Sequence, residues 1–296
     1  MNSRKGYLYL ASSIITASLM YIMTRLIISS VNVYSVMSIY FSAAFSFGVL
    51  SSKIFIKTDL INELKNHALL ILVVSALTII GAYFWFLSIG RAGAAATSLL
   101  AKLQTIFTVA AGVILLKEKF VKSAWIAVAG TVVGGVLIVY KGGRIDFLDA
   151  FWMSIFSASY ALQSYLVRKY ASSIDMIAFT VWRSFFIAFF FIILAQAKGN
   201  LVLPQMGDFA ILSVAGILGA YLSKGLQYMS FRYLPISTVS VLTNTESILT
   251  LILAAAFLRE QFSLINIFGA SLVIAGSASL IYIKTVRKKL IGNGLL

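Results

Sequence analysis

The chain has 296 residues, of which 60% are hydrophobic and only 11% are charged. A soluble domain is about half apolar and about a quarter charged, so this composition excludes a soluble fold and indicates an integral membrane protein. The lack of cysteine excludes disulfides and thiolate sites. The formal charge of +15 has to be explained by where the Lys and Arg residues lie.

Apolar segments separated by charged or turn-forming clusters predict ten membrane-spanning helices. At about 20 residues per span, they leave no room for a separate catalytic domain. The single histidine, His67, falls in a predicted polar loop before the third helix. In chain order the predicted helices cover 6–28, 34–55, 68–89, 94–116, 122–140, 148–167, 176–196, 208–230, 236–258 and 263–283.

The basic residues of the predicted connections are distributed unequally between the two sides of the membrane. If the amino terminus is cytoplasmic, most Lys and Arg residues of the connections and termini are also cytoplasmic. The external connections then contain Arg91, Lys141, Arg144, Lys198 and Arg259. The positive-inside rule therefore predicts that both termini lie in the cytoplasm. We expect a protein of a prokaryotic cytoplasmic membrane. Because topology explains the basic residues, we expect no nucleic-acid partner.

The sequence contains an internal repeat with an offset of 142 residues. Leu-Leu-Lys-Glu-Lys-Phe at 115–120 aligns with Phe-Leu-Arg-Glu-Gln-Phe at 257–262. We therefore predict two five-helix domains, 1–144 and 145–296. Because five is odd, the second domain enters the membrane from the opposite side. The predicted fold is all-α, with ten transmembrane helices in two inverted repeats, which is typical of alternating-access transporters.

Ionisable residues inside predicted spans are costly and therefore indicate functional sites. Arg25 lies close enough to a helix end for its side chain to reach the interface. Lys102 on the fourth helix, Arg183 on the seventh, Lys224 on the eighth and Glu246 on the ninth lie nearer the midplane. These four residues predict a cavity for a charged or zwitterionic solute.

Polar residues at helical spacing extend this cluster on the two fourth helices of the repeats. Ser98, Lys102 and Thr105 form one stripe, and their repeat equivalents Ser240, Asn244 and Ser247 form another. We expect the substrate to be bound by residues of these stripes and by neighbouring aromatic and amide side chains. The predicted binding residues are Lys102, Gln104, Arg183, Lys224, Asn244, Glu246, Tyr21, Tyr83, Trp85, Tyr160, Gln163 and Gln227.

Two roles are open for Glu246. It can carry a proton, or it can be the fixed partner of a cation, and the excess of cations favours the fixed pair. Protons therefore remain a candidate coupling partner. If Glu246 is permanently paired, the spare positive charge favours carboxylates or phosphates.

Glu118 and Glu260 occupy equivalent positions in the two repeats, each just before a new helix. We expect each to cap the amino terminus of the next helix, with a gating ion pair as the alternative. Gly130 and Gly134 form a Gly-xxx-Gly pattern that fits close helix packing, either within one chain or in a homodimer. The sequence therefore leaves a monomer and a homodimer both open.

These features resemble the EamA-type members of the drug/metabolite transporter superfamily. The resemblance rests on Leu103-Gln104 and Thr245-Glu246 in the fourth helices, followed by Glu118 and Glu260. It implies carriers for amino acids, drugs, nucleosides or phosphorylated metabolites. Thr105 and Ser247 stand where the family commonly has proline, so we expect Ser and Thr hydroxyls to bend these helices instead. The family's Arg in the second helix of a repeat is Arg183 here, whereas its counterpart in the first repeat is Phe41.

The sequence therefore predicts a transporter rather than an enzyme, with no cofactor and no metal. We expect an exporter of small polar or amphipathic metabolites such as amino acids or drugs, working by alternating access in the lipid bilayer. The alternative is a carrier or exchanger of anionic metabolites. A channel or lipid scramblase is a further alternative.

Overall fold

A computed structural model describes residues 3–27, 31–118, 122–139, 147–258 and 263–292. Within these ranges it describes only the backbone at 25, 55–56, 86–87, 89–99, 138–139, 251, 258 and 284–292. All regular elements in the described ranges are helical. The helices are α1 Ser3–Ile27, α2 Val33–Ser51, α3 Leu60–Leu100, α4 Leu103–Ile114, α5 Lys122–Val139, α6 Phe147–Lys169, α7 Met176–Ala197, α8 Met206–Gly216, α9 Lys224–Phe231, α10 Ile236–Thr243, α11 Glu246–Leu258 and α12 Leu264–Gly292.

Several of these helices are long and apolar enough to cross a membrane. Within the described ranges seven segments qualify, and two shorter apolar helices, Leu103–Ile114 and Lys122–Leu137, cover most of the predicted fourth and fifth spans. The number of ten spans remains a prediction. The seven segments are Ser3–Thr24, Val33–Ile54, Leu60–Trp85, Met176–Ala197, Met206–Phe231, Ile236–Phe257 and Leu264–Ile283.

Both predicted boundaries of the third helix differ from the structure. Helix α3 begins at Leu60 and continues to Leu100 through the predicted connection at 90–93. The alanines at 92 and 94–96 favour helix, which explains why the backbone continues there. His67 is consequently helical rather than in a loop, and its Nδ1 lies 3.1 Å from Glu63 Oε1, one helical turn earlier.

The predicted eighth helix contains a π-helical segment, Ile217–Ser223, between α8 and α9. Tyr40 of α2 packs against this segment and against the end of α8. A Cβ atom at Gly216 would lie 2.1 Å from the Tyr40 carbonyl oxygen, and one at Gly219 would meet the Tyr40 hydroxyl. Glycine at both positions therefore allows α2 to approach closely, and Lys224 follows directly after the π-helical segment.

Helices related by the 142-residue offset pack against each other in antiparallel pairs. In the α5–α12 pair, a Cβ atom at Gly134 would lie 2.5 Å from the Gly269 carbonyl oxygen, and one at Gly276 would lie 2.7 Å from that of Ala127. Gly134 of the Gly-xxx-Gly pattern thus lies in a close internal contact, whereas Gly130 has more space around it. In the α2–α7 pair, the rings of Phe41 and Phe191 are stacked with centroids 6.5 Å apart.

The largest apolar core lies at the end of the bundle where α3, α7 and α10 begin. Its fully buried members include Ile71, Phe179 and Ile236. At the same end Glu63 Oε2 accepts a hydrogen bond of 3.1 Å from the backbone N–H of Asp175, which itself caps α7. This end of the bundle is therefore densely packed.

Candidate functional site

The predicted fourth and ninth helices are interrupted at equivalent positions, and the two interruptions cross. The first lies between α3 and α4 at Lys102, and the second lies between α10 and α11 at Asn244. Lys102 Nζ donates to Ser247 Oγ at 2.5 Å, and Thr105 Oγ1 donates to Asn244 Oδ1 at 3.2 Å. The repeat offset relates Lys102 to Asn244 and Thr105 to Ser247, so the two bonds form a reciprocal pair between the repeats.

The backbone at each interruption tightens locally. At the first, Thr105 N donates to Lys102 O at 3.1 Å, and at the second, Ser247 N donates to Asn244 O at 3.2 Å. These are i to i+3 bonds, which frequently occur at helix ends and hinges. The Thr245 hydroxyl also donates to Leu242 O at 2.7 Å.

The expectation that Ser or Thr hydroxyls compete for backbone carbonyls in these helices is met by a residue beside the second proline position. Thr245 bonds to a backbone carbonyl three residues earlier, as the expectation required. Thr105 and Ser247, which occupy the proline positions, instead bond across to the other repeat. Their hydroxyls connect the two interrupted helices to each other.

Glu246 begins α11 directly after the second interruption. It interacts electrostatically with Lys102 and Lys224, and the positive end of the α11 dipole also favours its carboxylate. Its backbone carbonyl accepts a hydrogen bond of 3.3 Å from Ser18 Oγ of α1. Glu246 and the two lysines are each half-buried, so protein surrounds them while part of each side chain stays accessible.

Lys224 lies beside Tyr160 of α6. Its Nζ donates to Gln227 Oε1 at 2.9 Å and lies 5.5 Å from the centre of the Tyr160 ring. The Tyr160 ring fits against α3 because Gly81 has no side chain, and a Cβ there would lie 2.8 Å from the ring. The predicted residues Lys224, Gln227 and Tyr160 are thus brought together.

Arg183 is the largest fully buried side chain of the described residues and is 1% exposed. Its Nε donates to Thr78 Oγ1 at 3.3 Å, and the same oxygen accepts a hydrogen bond of 2.6 Å from Gln163 Nε2. The guanidinium carbon lies 5.7 Å from the centre of the Tyr228 ring. Arg183 and Gln163, both predicted from sequence, therefore meet at Thr78.

The remaining predicted residues have less support from their positions. Tyr21 is 46% exposed but interacts electrostatically with Glu246. Tyr83 is exposed and its ring contacts Phe84, while Trp85 packs against an apolar cluster of α3 and α6. Gln104 is half-buried, and its described hydrogen bond is made by its backbone. The Arg25 side chain lies outside the described residues.

Sequence reasoning missed two residues of the site. Thr78 on α3 connects Arg183 with Gln163, and Tyr40 on α2 interacts electrostatically with both Arg183 and Glu246. Tyr228 on α9, an aromatic residue that the sequence also suggested for the cavity, is 2% exposed. Thr78 is one of the few hydroxyl residues of an apolar segment, which is a weak signal, and nothing distinguishes Tyr40 from other tyrosines.

In the described contacts, Glu118 caps a helix of the other repeat. Its carboxylate accepts hydrogen bonds from the backbone N–H groups of Ile236 at 2.7 Å and Ser237 at 3.2 Å, and from the Ser237 hydroxyl. These donors begin α10 in the other repeat, so Glu118 joins the end of α4 to the start of α10. Sequence distance alone does not reveal this contact. Glu260 lies outside the described residues.

Two apolar pockets occur away from these charges. One, of about 420 Å³, is lined by Leu137, Leu264, Ile265 and Phe268. The other, of about 250 Å³, lies between α3 and α7 and is lined mainly by Leu, Ile and Phe side chains. Neither includes a predicted binding residue. Their apolar linings fit contact with acyl chains rather than with a polar solute.

The fold and the site together define a polytopic helical membrane protein with two repeats and a charged centre between them. A model of the EamA-like transporter family matches residues 4–140 and again 148–282. The chain therefore belongs to the EamA-like transporter family. The predicted resemblance is confirmed, and the chain is a membrane transporter rather than an enzyme.

Comparison with solved structures identifies 28 matching chains. One, titled "Crystal structure of protein", has a TM-score of 0.84 and 13% sequence identity, covering 94% of this chain and 96% of that chain. At this identity the likeness concerns the fold alone. A comparison with curated proteins finds no match.

Proposed function

We propose that this chain is a secondary-active transporter that exports small polar or amphipathic metabolites, such as amino acids or drugs, by alternating access. The observation that carries the proposal is the reciprocal pair of hydrogen bonds between the interrupted helices, Lys102 to Ser247 and Thr105 to Asn244. Transporters commonly bind solutes near the midplane, where discontinuous helices of two repeats meet. The charges around this crossing are the proposed binding site.

The antiparallel packing of equivalent helices supports an inverted arrangement of two domains, 1–144 and 145–296. The α2–α7 and α5–α12 pairs each place the start of one helix beside the end of its repeat equivalent. The crossing of α4 with α10 and α11 follows the same pattern. We propose ten spans with both termini in the cytoplasm of a prokaryotic cell, and the Lys and Arg distribution supports this orientation.

In the proposed site, the Glu246 carboxylate binds a cationic group of the solute, and nearby aromatic rings contact the same group. Tyr21 and Tyr40 both interact electrostatically with Glu246, and their rings are the proposed flanking groups for a bound ammonium. Lys102, Lys224 and Arg183 provide the positive part of the site. A zwitterionic solute such as an amino acid complements both charges.

An anionic metabolite is the second candidate. The observation that favours it is the excess of cations in the cluster. Lys102 and Lys224 interact with Glu246, and Arg183 adds a third positive charge that interacts with Lys224. Carboxylates and phosphates would balance this charge.

Exchange across liposomes tests the proposal. Vesicles with the purified protein, loaded with unlabelled amino acids, should accumulate radiolabelled amino acids by counterflow, and dicarboxylates and sugar phosphates test the second candidate. We expect Lys102→Ala and Glu246→Gln to lower exchange by about tenfold to a hundredfold, because each removes a charge-assisted contact.

Lys53→Ala is the matched control, since Lys53 is exposed and lies outside the charged cluster. Full exchange in both site variants would remove these residues from the site. Flux without counterflow would contradict a carrier and indicate a channel or scramblase.

A further inference from the structure

The guanidinium of Arg183 has unused hydrogen-bonding capacity deep inside the bundle. A guanidinium has five N–H donors. The described hydrogen bond uses Nε, whereas Nη1 is buried without a hydrogen-bond partner. The described contacts of Arg183 include no carboxylate, because they are with Thr78 and the Tyr228 ring. An unpaired buried charge is costly, so this arrangement requires an explanation.

A second unpartnered polar atom lies on the residue beside this guanidinium. Among the described residues the Tyr228 hydroxyl has no hydrogen-bond partner, and Tyr228 is only 2% exposed. Tyrosine hydroxyls normally find a partner when they are buried. Arg183 and Tyr228 contact each other through the ring, so two adjacent residues each have a free donor.

A second cation lies close to this pair. Lys224 and Arg183 interact electrostatically, and Lys224 Nζ donates to the neutral Gln227 side chain. Two like charges repel strongly in a medium of low dielectric constant. An anionic group between them removes this repulsion and accepts the unused hydrogen bonds at the same time.

We propose that Arg183 and Tyr228, assisted by Lys224, form a subsite for the oxyanion group of the transported solute. This inference rests on the proposed function and specifies which end of the solute binds here. A planar carboxylate fits a guanidinium with two parallel bonds, and a phosphonate or phosphate shares the same chemistry. Glu246 then binds the opposite, cationic end when the solute has one.

Thermal unfolding of the detergent-purified protein tests the subsite, because a ligand that binds the folded state stabilises it. The probes are acetate, benzoate and phenylphosphonate, compared with chloride at equal ionic strength. Benzamide is the neutral equivalent of benzoate. We expect saturable stabilisation by benzoate or phenylphosphonate, and the stronger of the two identifies the preferred oxyanion. Benzamide should have little effect. No stabilisation by any of the three anions, or equal stabilisation by benzamide, overturns the proposal.

Two variants assign the effect to the subsite. Arg183→Gln should raise the apparent Kd for the stabilising anion by at least roughly tenfold, since it removes a charged donor. Tyr228→Phe keeps the ring over the guanidinium, removes only the hydroxyl and should raise that Kd by roughly fivefold. It therefore remains informative if Arg183→Gln does not fold. Lys169→Gln is the control, because Lys169 is exposed at the end of α6. Unchanged anion binding in Tyr228→Phe and in any folded Arg183→Gln protein overturns the proposal.

This experiment and the exchange assay can fail separately. If exchange occurs but no anion stabilises the protein, the transporter proposal stands and the oxyanion subsite falls. If anions stabilise the protein through Arg183 and Tyr228 but no counterflow occurs, the subsite stands and the proposed transport activity falls.

Discussion

Several polar side chains inside this bundle form hydrogen bonds between the two repeats. Thr105 donates to Asn244 across the crossing, and Asn244 is 5% exposed with an unpartnered Nδ2. The Asn244 side chain therefore has one described side-chain hydrogen bond in a buried environment. Loss of that bond would leave a buried amide with neither of its polar atoms paired, which costs more than an ordinary hydrogen bond contributes.

Thr105→Val is therefore expected to lower the free energy of unfolding by about 1 to 2 kcal/mol, which is more than the roughly 0.6 kcal/mol that an average hydrogen bond contributes inside a membrane bundle. The substitution keeps the shape and removes only the hydroxyl. The measurement is the midpoint of thermal unfolding in detergent. Thr16→Val is the control, because the Thr16 hydroxyl bonds only within α1 in the described contacts. Equal effects of the two substitutions would contradict a special role for the crossing.

At the scale of helices, glycine determines how closely two elements approach. The α5–α12 pair has Gly134 facing the backbone of Gly269 and Val273, whereas Gly130 on the same helix has more space. Alanine substitutions at these two glycines therefore distinguish the effect of close packing from the effect of helix propensity. Alanine is favoured over glycine in a helix interior by about 0.5 to 1 kcal/mol.

Gly134→Ala is expected to destabilise the protein by about 1 to 3 kcal/mol, because its Cβ would lie 2.5 Å from the Gly269 carbonyl oxygen. Gly130→Ala is the matched control. Its nearest neighbour would be the Leu272 carbonyl oxygen at 3.9 Å, so this substitution should be neutral or stabilising. Thermal unfolding of both variants measures the difference. A stable Gly134→Ala protein would mean that α5 and α12 are not in close contact.

In the molecule as a whole, Glu118 connects the two repeats at the densely packed end. Its carboxylate binds the start of α10, and Arg168 of α6 interacts with it electrostatically. Arg168 and Arg232 also donate to backbone carbonyls of neighbouring segments at this end. The proposed alternating access would require this end to open in the other state, and these contacts would then have to break.

Glu118→Gln is expected to increase access to the site from this end several-fold, because it weakens charge-assisted hydrogen bonds to three donors. The chain has no cysteine, so Thr243→Cys on α10 supplies a single reactive thiol. The measurement is its rate of reaction with a membrane-impermeant maleimide applied from either side of vesicles.

Glu63→Gln is the matched control, because Glu63 lies at the same end but contacts the start of α7 rather than the crossing helices. An unchanged reaction rate in Glu118→Gln would contradict a closing role for Glu118.

The sequence by itself was sufficient for the membrane class, the internal repeat, the family and the charged residues of the fourth helices. These follow from composition, from an alignment of the chain with itself and from the cost of placing Lys102 or Glu246 in lipid. Such signals are local or periodic, and they do not depend on how the helices pack. The same reasoning assigned Lys224, Gln227 and Tyr160 to one cavity, and these three side chains lie close together in the structure.

Only the tertiary structure decided which groups meet. It paired Lys102 with Ser247 and Thr105 with Asn244, directed Glu118 to α10, and placed Thr78 and Tyr228 beside Arg183. Contacts between residues more than a hundred positions apart depend on helix rotation and on close approach at glycines, and neither leaves a periodic trace in the sequence. The unused donors of Arg183 and Tyr228 likewise became visible only when their surroundings were known.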